Sequence, residues 1–434
     1  MLIALLLSLG LFSGCNDPKG FQKVYTLKQH YKIELKTAVL NDHQVLVIGS
    51  KGQGEVFDTQ THRSFLTPRI VPFHNRQDPI VAVRGIAYTI TYNLCATGRP
   101  IECFLTSGAF YDPENNSAGI LYGMPRARSK HTMHPLKNGN LLLIGGLEMK
   151  FETKQFYNDS AKSVLISSER QKKSFESDQK NPDNLLDILE VNPKTLETKV
   201  VGQIPEDPKW HSVFSDAPKE SLKYLVGHGS VRVDENRYLI LGGGIQKRRA
   251  LDAIYLFDRS SGTVKLIGSF PVPLTMSTGL ALNNHEVLIG GGYTPDYIHQ
   301  EVTFGETTTL DTTYDRPLTE KLKTMDPFEI LDLKTGKMTS VNDMTKSIHA
   351  PGGDIRLFRL DARHVISIGL HRYMIIDLKT NTVTKEEEYL PNYGPAAAGA
   401  FQMPDGSVYI VFRKRTEKNE YLYKYEIYKY TGQQ

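Results

Sequence analysis

Residues 328–336 read Phe-Glu-Ile-Leu-Asp-Leu-Lys-Thr-Gly, a short apolar strand that ends at Asp332 and turns through Lys334-Thr335-Gly336. Near-copies recur along the chain: Val56-Phe57-Asp58, Phe110-Tyr111-Asp112, Val191-Asn192-Pro193, Leu256-Phe257-Asp258 and Ile376-Asp377-Leu378. A degenerate copy closes the chain, Ile427-Tyr428-Lys429-Tyr430-Thr431-Gly432. The acidic or amide residue falls at 58, 112, 192, 258, 332 and 377, and the shortest interval, 332 to 377, is 45 residues. A repeat of roughly 40–50 residues is the mark of a propeller or a repeat array.

A second repeat lies upstream of the first in each unit. It is a turn followed by an apolar run that ends in glycine: VLVIG up to Gly49, NLLLIGG up to Gly146, RYLILGGG up to Gly244, HEVLIGGG up to Gly292 and HVISIG up to Gly369. The turns before these runs carry Asp42-His43, Asn138-Gly139, Glu235-Asn236, Asn283-Asn284 and Arg363, and Asp405-Gly406 precedes VYIVF. Asn-Gly and Asp-Gly favour a two-residue hairpin in which both turn residues take positive φ. The terminal glycines suit a close approach of neighbouring backbones. Each unit therefore reads as a four-stranded antiparallel blade, and no long segment shows the 3.6-residue period of a helix. The expected architecture is an all-β propeller of seven blades, with six as the alternative. Residues 21–28, FQKVYTLK, would supply the fourth strand of the last blade and close the ring.

At this point the chain resembles the bacterial kelch propellers, related to the propeller of galactose oxidase. The best match runs from Met124-Pro125-Arg126-Ala127-Arg128-Ser129-Lys130-His131 through Asn140 to Gly146. A blade tryptophan is missing, since the single Trp210 lies outside the repeat positions.

Composition is that of an ordinary globular chain, 40% hydrophobic and 23% charged, with net charge +4 over 434 residues. So small an excess implies no nucleic-acid partner, and the basic runs Lys247-Arg248-Arg249 and Arg413-Lys414-Arg415 lack interleaved aromatics. Residues 1–14, MLIALLLSLGLFSG, are apolar, too short to span a bilayer, and end in small residues, as a signal peptide does. Phe12-Ser13-Gly14-Cys15 resembles the lipobox of bacterial lipoproteins. That resemblance implies lipidation of Cys15, a linker over 15–20, and a chain anchored in an envelope membrane, facing the periplasm or the exterior. The family prefers Leu where Phe12 stands. The remaining pair, Cys95 and Cys103, flanks a Thr-Gly-Arg-Pro turn, and an even pair in an oxidising compartment favours a disulfide over a metal site.

The expected organisation is one propeller over 21–434 with insertions at 147–184 and 293–327. The first insertion balances seven Lys/Arg with seven Asp/Glu; the second carries seven Asp/Glu against three Lys/Arg. Both insertions and the Cys95–Cys103 loop follow the glycine-ended strand, so all three are expected on one face. Long loops on a rigid scaffold often carry function.

For chemistry, His131 and His228 each stand fourteen residues before a glycine, at 145 and 242; Leu35, Met276, Ile355 and Ala398 are the matching positions elsewhere. With Arg126, Arg128, His134 and His349 they are the candidate binding residues at the channel mouth. Arg recognises carboxylates bidentately and His serves near neutral pH. The competing reading has Arg128 and His131 tie blades together. No Gly-x-Ser-x-Gly elbow or catalytic-type Cys is present, so no catalytic residue is assigned. No copper set of the galactose oxidase kind aligns, and Asp311 and Asp315 fit no EF-type calcium loop, so no cofactor or metal is expected. The function expected is a monomeric binding propeller for a glycan, peptide or protein partner. The kelch resemblance implies the alternative, a sugar-modifying enzyme of the sialic-acid mutarotase type, for which Arg128, His131 and His228 would be the acid/base set.

Overall fold

The structure, a computed structural model, describes residues 18–29, 31, 35–49, 52–70, 79–90, 106–122, 124, 128, 131–146, 186–205, 225, 227–245, 249–293, 328–343, 355–389, 396–416 and 419–432. Its elements are strands, and they assemble into seven four-stranded antiparallel blades in chain order. Blade 1 is Leu35–Val39, Gln44–Gly49, Gly54–Asp58 and Arg63–Leu66; blade 2 runs from Val81 to Tyr122 and blade 3 from Thr132 to Gln203. Blades 4 and 5 share the long strand Thr263–Ala281, whose first half is the outer strand of one and whose second half is the inner strand of the next. Blade 6 is built on Arg356–Arg359, His364–Ile368, Arg372–Asp377 and Thr382–Glu388. In blade 7 the outer strand is Phe21–Thr26, paired antiparallel with Asn419–Tyr430 in the register Phe21↔Tyr430. The two ends of the chain thus close the ring, as the sequence predicts.

The second strand of every blade explains why the ring forms. Leu142 and Ile144 pack toward Tyr238 and Ile240 of blade 4, whereas Leu141 and Leu143 pack toward Tyr88 and Ile90 of blade 2. Val45 and Val47 of blade 1 likewise face blade 7, and Leu46 and Ile48 face blade 2. Side chains of a strand alternate faces, so a run such as LLLI is apolar throughout only because both faces are buried. Seven clusters of buried apolar residues result, one in each seam between blades.

The first sequence repeat is one hydrogen-bonding device used six times. Asp332 Oδ1 accepts from the backbone N–H of Lys334 and Thr335, both at 2.8 Å. Asp58, Asp112, Asn192, Asp258 and Asp377 accept from the N–H two residues on in the same way. Such Asx turns reproduce a backbone turn with a side chain. Four residues after each acceptor the backbone is left-handed: His62, Asn116, Leu196, Gly262, Gly336 and Asn381 all have positive φ.

The second repeat departs from the expected two-residue hairpin. Asn41, Asn138, Asp234, Asn283, Asp361 and Asp405 each accept from the N–H two residues on. In blades 1, 4 and 6 the acceptor precedes the residues the sequence pattern singles out. Because the side chain closes the turn, Asp42, Glu235 and Asn284 need no positive φ; only Gly139 and Gly406 have it in these turns. The tight turn with two left-handed residues is instead Arg84-Gly85 of blade 2, between Val83 and Ile86.

Phe21 holds the closing strand. It is 5% exposed, and its ring meets Tyr373, Tyr389, Phe412 and Tyr430 at centroid distances of 5.2–6.1 Å. Phe21→Ala is expected to cost about 3–5 kcal/mol of unfolding free energy in urea titration. A loss below about 1 kcal/mol would mean that the seam does not depend on the closing strand. His62, exposed and left-handed at φ 54, carries the opposite expectation. His62→Gly relieves roughly 1 kcal/mol of strain, less what its stacking on Phe57 contributes, so the urea midpoint should rise.

Candidate functional site

In each blade the inner strand starts at the end of the ring where the preceding blade's outer strand delivers the chain. The connection from second to third strand returns to that same end, and the two hairpin turns occupy the other. The second-to-third connections of blades 2, 3 and 5 are the long ones, running from Ile90 to Thr106, Ile144 to Asp187 and Tyr293 to Phe328. In blades 1 and 6 the same connection spans only Gly49 to Gly54 and Ile368 to Arg372. Tyr293 belongs to its strand, one residue into the insertion expected at 293. The three long segments therefore leave from one end of the ring. Cys95, Cys103 and nearly all of both insertions lie outside the described residues, as do Cys15, Arg126 and His349.

Arg128, His131 and His228 come together at that end, in the seam between blades 3 and 4. Thr132 pairs with Ile144 and Gly229 with Leu241, so His131 stands opposite Gly145 and His228 opposite Gly242. The equivalence of the two histidines holds. In blade 5 the matching residue is Ser277, which pairs with Gly291, and not Met276. The reason is that Gly290 still pairs within the sheet, with Phe328, and the left-handed pair is Gly291-Gly292. The same left-handed pair occurs at Gly145-Gly146 and Gly242-Gly243.

The glycines are required by the histidine. A Cβ on Gly145 would lie 2.6 Å from His228 Cε1, and one on Gly243 would lie 2.8 Å from His228 Cβ. Gly146 N–H donates to the Leu225 carbonyl at 2.7 Å, and Gly243 N–H to the Leu274 carbonyl at 2.8 Å, so each pair also ties the incoming chain of the next blade. Arg128 is fully buried, and its Nη1 donates to the carbonyls of Gly145 and Asp187, both at 2.9 Å. It thereby staples the root of the 147–184 insertion to the third strand of its own blade.

The imidazoles of His131 and His228 are sealed, that of His134 is half-buried, and all three are neutral. His228 shares a hydrogen bond with Thr132 Oγ1 at 3.0 Å, and His134 one with Ser230 Oγ at 2.5 Å, both across the seam. His134 also lies 5.2 Å from the Tyr238 ring. His131 is 2% exposed, and neither of its ring nitrogens closes a hydrogen bond of good geometry with a described residue, although the Arg128 backbone lies beside it. Burial pushes the His131 pKa down to about 3, with Arg128, His228 and Lys36 adding to the effect. Burial also brings His134 and His228 to about 4. At neutral pH they serve as uncharged donors and acceptors. Sequence reasoning passed over Lys36, in the inner strand of blade 1, whose charge acts on His131.

No family model and no curated protein matches this chain. Among solved structures, that of YjhT aligns with a TM-score of 0.47 at 12% identity, over 93% of this chain and 96% of that one. A fungal alcohol oxidase of the AA5 family, in complex with copper, aligns with a TM-score of 0.46 at 12% identity, over 92% of this chain and 63% of the oxidase. The propeller fold stands here on its own strand pairing.

The depressed histidine pKa values give stability a pH dependence with a definite sign. Unfolded, each imidazole binds a proton below about 6.5; folded, it does so only near 4 or lower. The unfolded state therefore holds more protons in this window, and stability falls as pH drops from 6.5 toward 4. The expected loss between pH 6.5 and 5 is on the order of 2 kcal/mol for each of His131 and His228. The carboxylates whose pKa is lowered, Asp58, Asp234, Asp258, Asp332 and Asp361 among them, titrate below this window. Urea unfolding at pH 7 and pH 5 measures the slope, and His228→Asn should flatten it. An unchanged slope would show that His228 is not the buried titrating group.

Proposed function

We propose that the chain is a binding propeller, tethered to an envelope membrane through Cys15, that captures a glycan, peptide or protein partner on the end of the ring bearing the long connections. The observation that carries this reading is the common exit of the three long second-to-third-strand segments. A rigid ring whose hairpins are short at one end and whose connections are long at the other offers one variable surface on a fixed frame.

The seam cluster supports this reading as the footing of that surface. Arg128 and the Gly145-Gly146 pair fix the point where the 147–184 insertion leaves blade 3, and His131 and His228 pack directly against it. With Arg126 and His349 they remain the candidate contact residues for a partner. Neutral, buried imidazoles are poor general acids or bases at pH 7, because the catalytic pKa should lie near the working pH. The cluster thus lends no specific support to sugar chemistry.

Replacing 147–184 by a short Gly-Ser linker tests the reading. Glycans on an array and envelope proteins captured by the intact chain should be lost, while the unfolding midpoint stays within a few degrees. If every captured species persists, that end of the ring is not the recognition surface. In parallel, Cys15→Ser should move the chain from the membrane fraction to the soluble fraction. Continued sedimentation with membranes would remove the tether.

A further inference from the structure

The first residues that the fold holds sit on the outer rim, at the seam between blades 6 and 7. Pro18 is buried, and its carbonyl accepts from the Phe21 N–H at 3.0 Å, which closes residues 18–21 into a turn. Gly20 takes the left-handed position of that turn, at φ 80, and its carbonyl accepts from the Thr431 N–H at 2.9 Å. Phe21 then enters its aromatic cage, between Tyr373 and Tyr389 of blade 6 and Phe412 and Tyr430 of blade 7.

These contacts place the exit of the chain between the two ends of the ring. Thr431 follows the third strand of blade 7 at its hairpin end. Lys19 Nζ lies 3.6 Å from Glu387 Oε2. Glu387 pairs with Tyr373, and Tyr373 with Ile368, beside the second-to-third connection of blade 6. The turn thus bridges the hairpin end of one blade and the connection end of the other. Only Asn16 and Asp17 separate Pro18 from Cys15. Three residues extend to about 11 Å at most. The second strand of blade 7, Val408–Thr416, spans roughly 27 Å. Half the depth of the blade already exceeds that reach.

We infer that the outer rim at the seam between blades 6 and 7 is the surface this chain turns to the lipid headgroups, with the channel axis lying along the bilayer. This rests on the tether at Cys15 proposed above and deepens it. The chemistry of the rim suits a headgroup layer: Lys19, Gln22, Lys23, Thr384 and Glu388 are exposed there. Among the described residues, no large exposed hydrophobic lies on the two outer strands of this rim, Phe21–Thr26 and Thr382–Glu388. The lipid therefore supplies the apolar anchor, and the protein surface stays in the polar zone. Counted either way round the seven blades, blade 3 stands opposite this seam. The root of the 147–184 insertion is thereby held on the far side of the ring, away from the membrane.

Fluorescence quenching tests the orientation on the full chain, isolated from membranes and reconstituted into phosphatidylcholine–phosphatidylglycerol vesicles that carry a headgroup nitroxide. A fluorophore on an introduced ketone amino acid replaces Gln22 or Thr384 at the rim, Lys194 in the hairpin turn of blade 3, or Gln53 in the connection of blade 1, all exposed positions. Quenching at Gln22 and Thr384 should exceed that at Lys194 and Gln53 about twofold or more, because the tether holds the rim within its own short reach. A long Gly-Ser linker inserted before Pro18 should erase this contrast while the chain still floats with the vesicles. Equal quenching at Lys194 or at Gln53 overturns the assignment, because the ring then lies on one of its ends. Uniform absence of quenching in a chain that floats overturns it as well. A chain that carries no lipid on Cys15 by mass spectrometry, or does not float, removes the tether itself and the orientation with it.

Discussion

The structure depends on burial of the second strand of each blade on both faces. A strand such as Leu141–Ile144 or Arg237–Leu241 is apolar at successive positions and needs a partner on either side. A single blade has no way to supply both, so each blade is stable only between two others, and the ring has to close. The closing seam is the vulnerable one, because its outer strand arrives from the far end of the sequence. Here the chain places several specific contacts. Besides Phe21 in its aromatic cage, the fully buried Glu55 accepts from the N–H of Lys28 at 2.9 and 3.1 Å and from that of Gln29 at 3.3 Å. Glu426 accepts from Lys414 at 2.8 Å and from Tyr428 Oη at 2.9 Å, and also pairs with Lys23. The polar contacts pin register where the apolar packing alone would tolerate slippage.

What could be read in the sequence was whatever is carried by residue type at a fixed spacing. The acceptor series 58, 112, 192, 258, 332 and 377 was visible because only Asp or Asn makes that turn well. The left-handed residue four positions on was invisible, because His, Asn, Leu and Gly all fill it and the turn is closed by the acceptor upstream. The Gly-Gly strand ends were legible as close approaches, but a run of three glycines does not say which two are left-handed. That ambiguity displaced the expected position in blade 5 from Ser277 to Met276. Blade 2 hid its hairpin behind Arg84-Gly85, since Arg is an unusual choice for positive φ. Of the site, the pairing of His131 with His228 followed from spacing. Their burial and neutrality did not, because those depend on Gly145 and Gly243 approaching from neighbouring segments.

Buried histidine at a blade seam has a physical logic of its own. An imidazole fills the volume left by two glycines and still offers a donor or acceptor to a neighbour such as Thr132 or Ser230. The cost is a group that must stay neutral, which confines the fold to pH values where its unfolded counterpart is also mostly neutral. The cluster therefore joins the geometry of the loop-bearing end to the stability of the ring, and a change that opens one disturbs the other.

The donors along the inner strands follow from the same architecture. The inner strand of each blade has one edge that no further strand covers, so its carbonyls need donors from elsewhere. Neighbouring inner strands provide them: Thr37 from blade 1 and Arg356 from blade 6 both donate to the Ala400 carbonyl. Arg359 reaches the Leu282 carbonyl, and Gln402 reaches that of Arg359. Carboxylates accept only and would do nothing for a carbonyl edge. The hydrogen-bonding need thus selects Arg, Lys, Thr, Ser and Gln along the channel and excludes Asp and Glu, with no reference to a ligand.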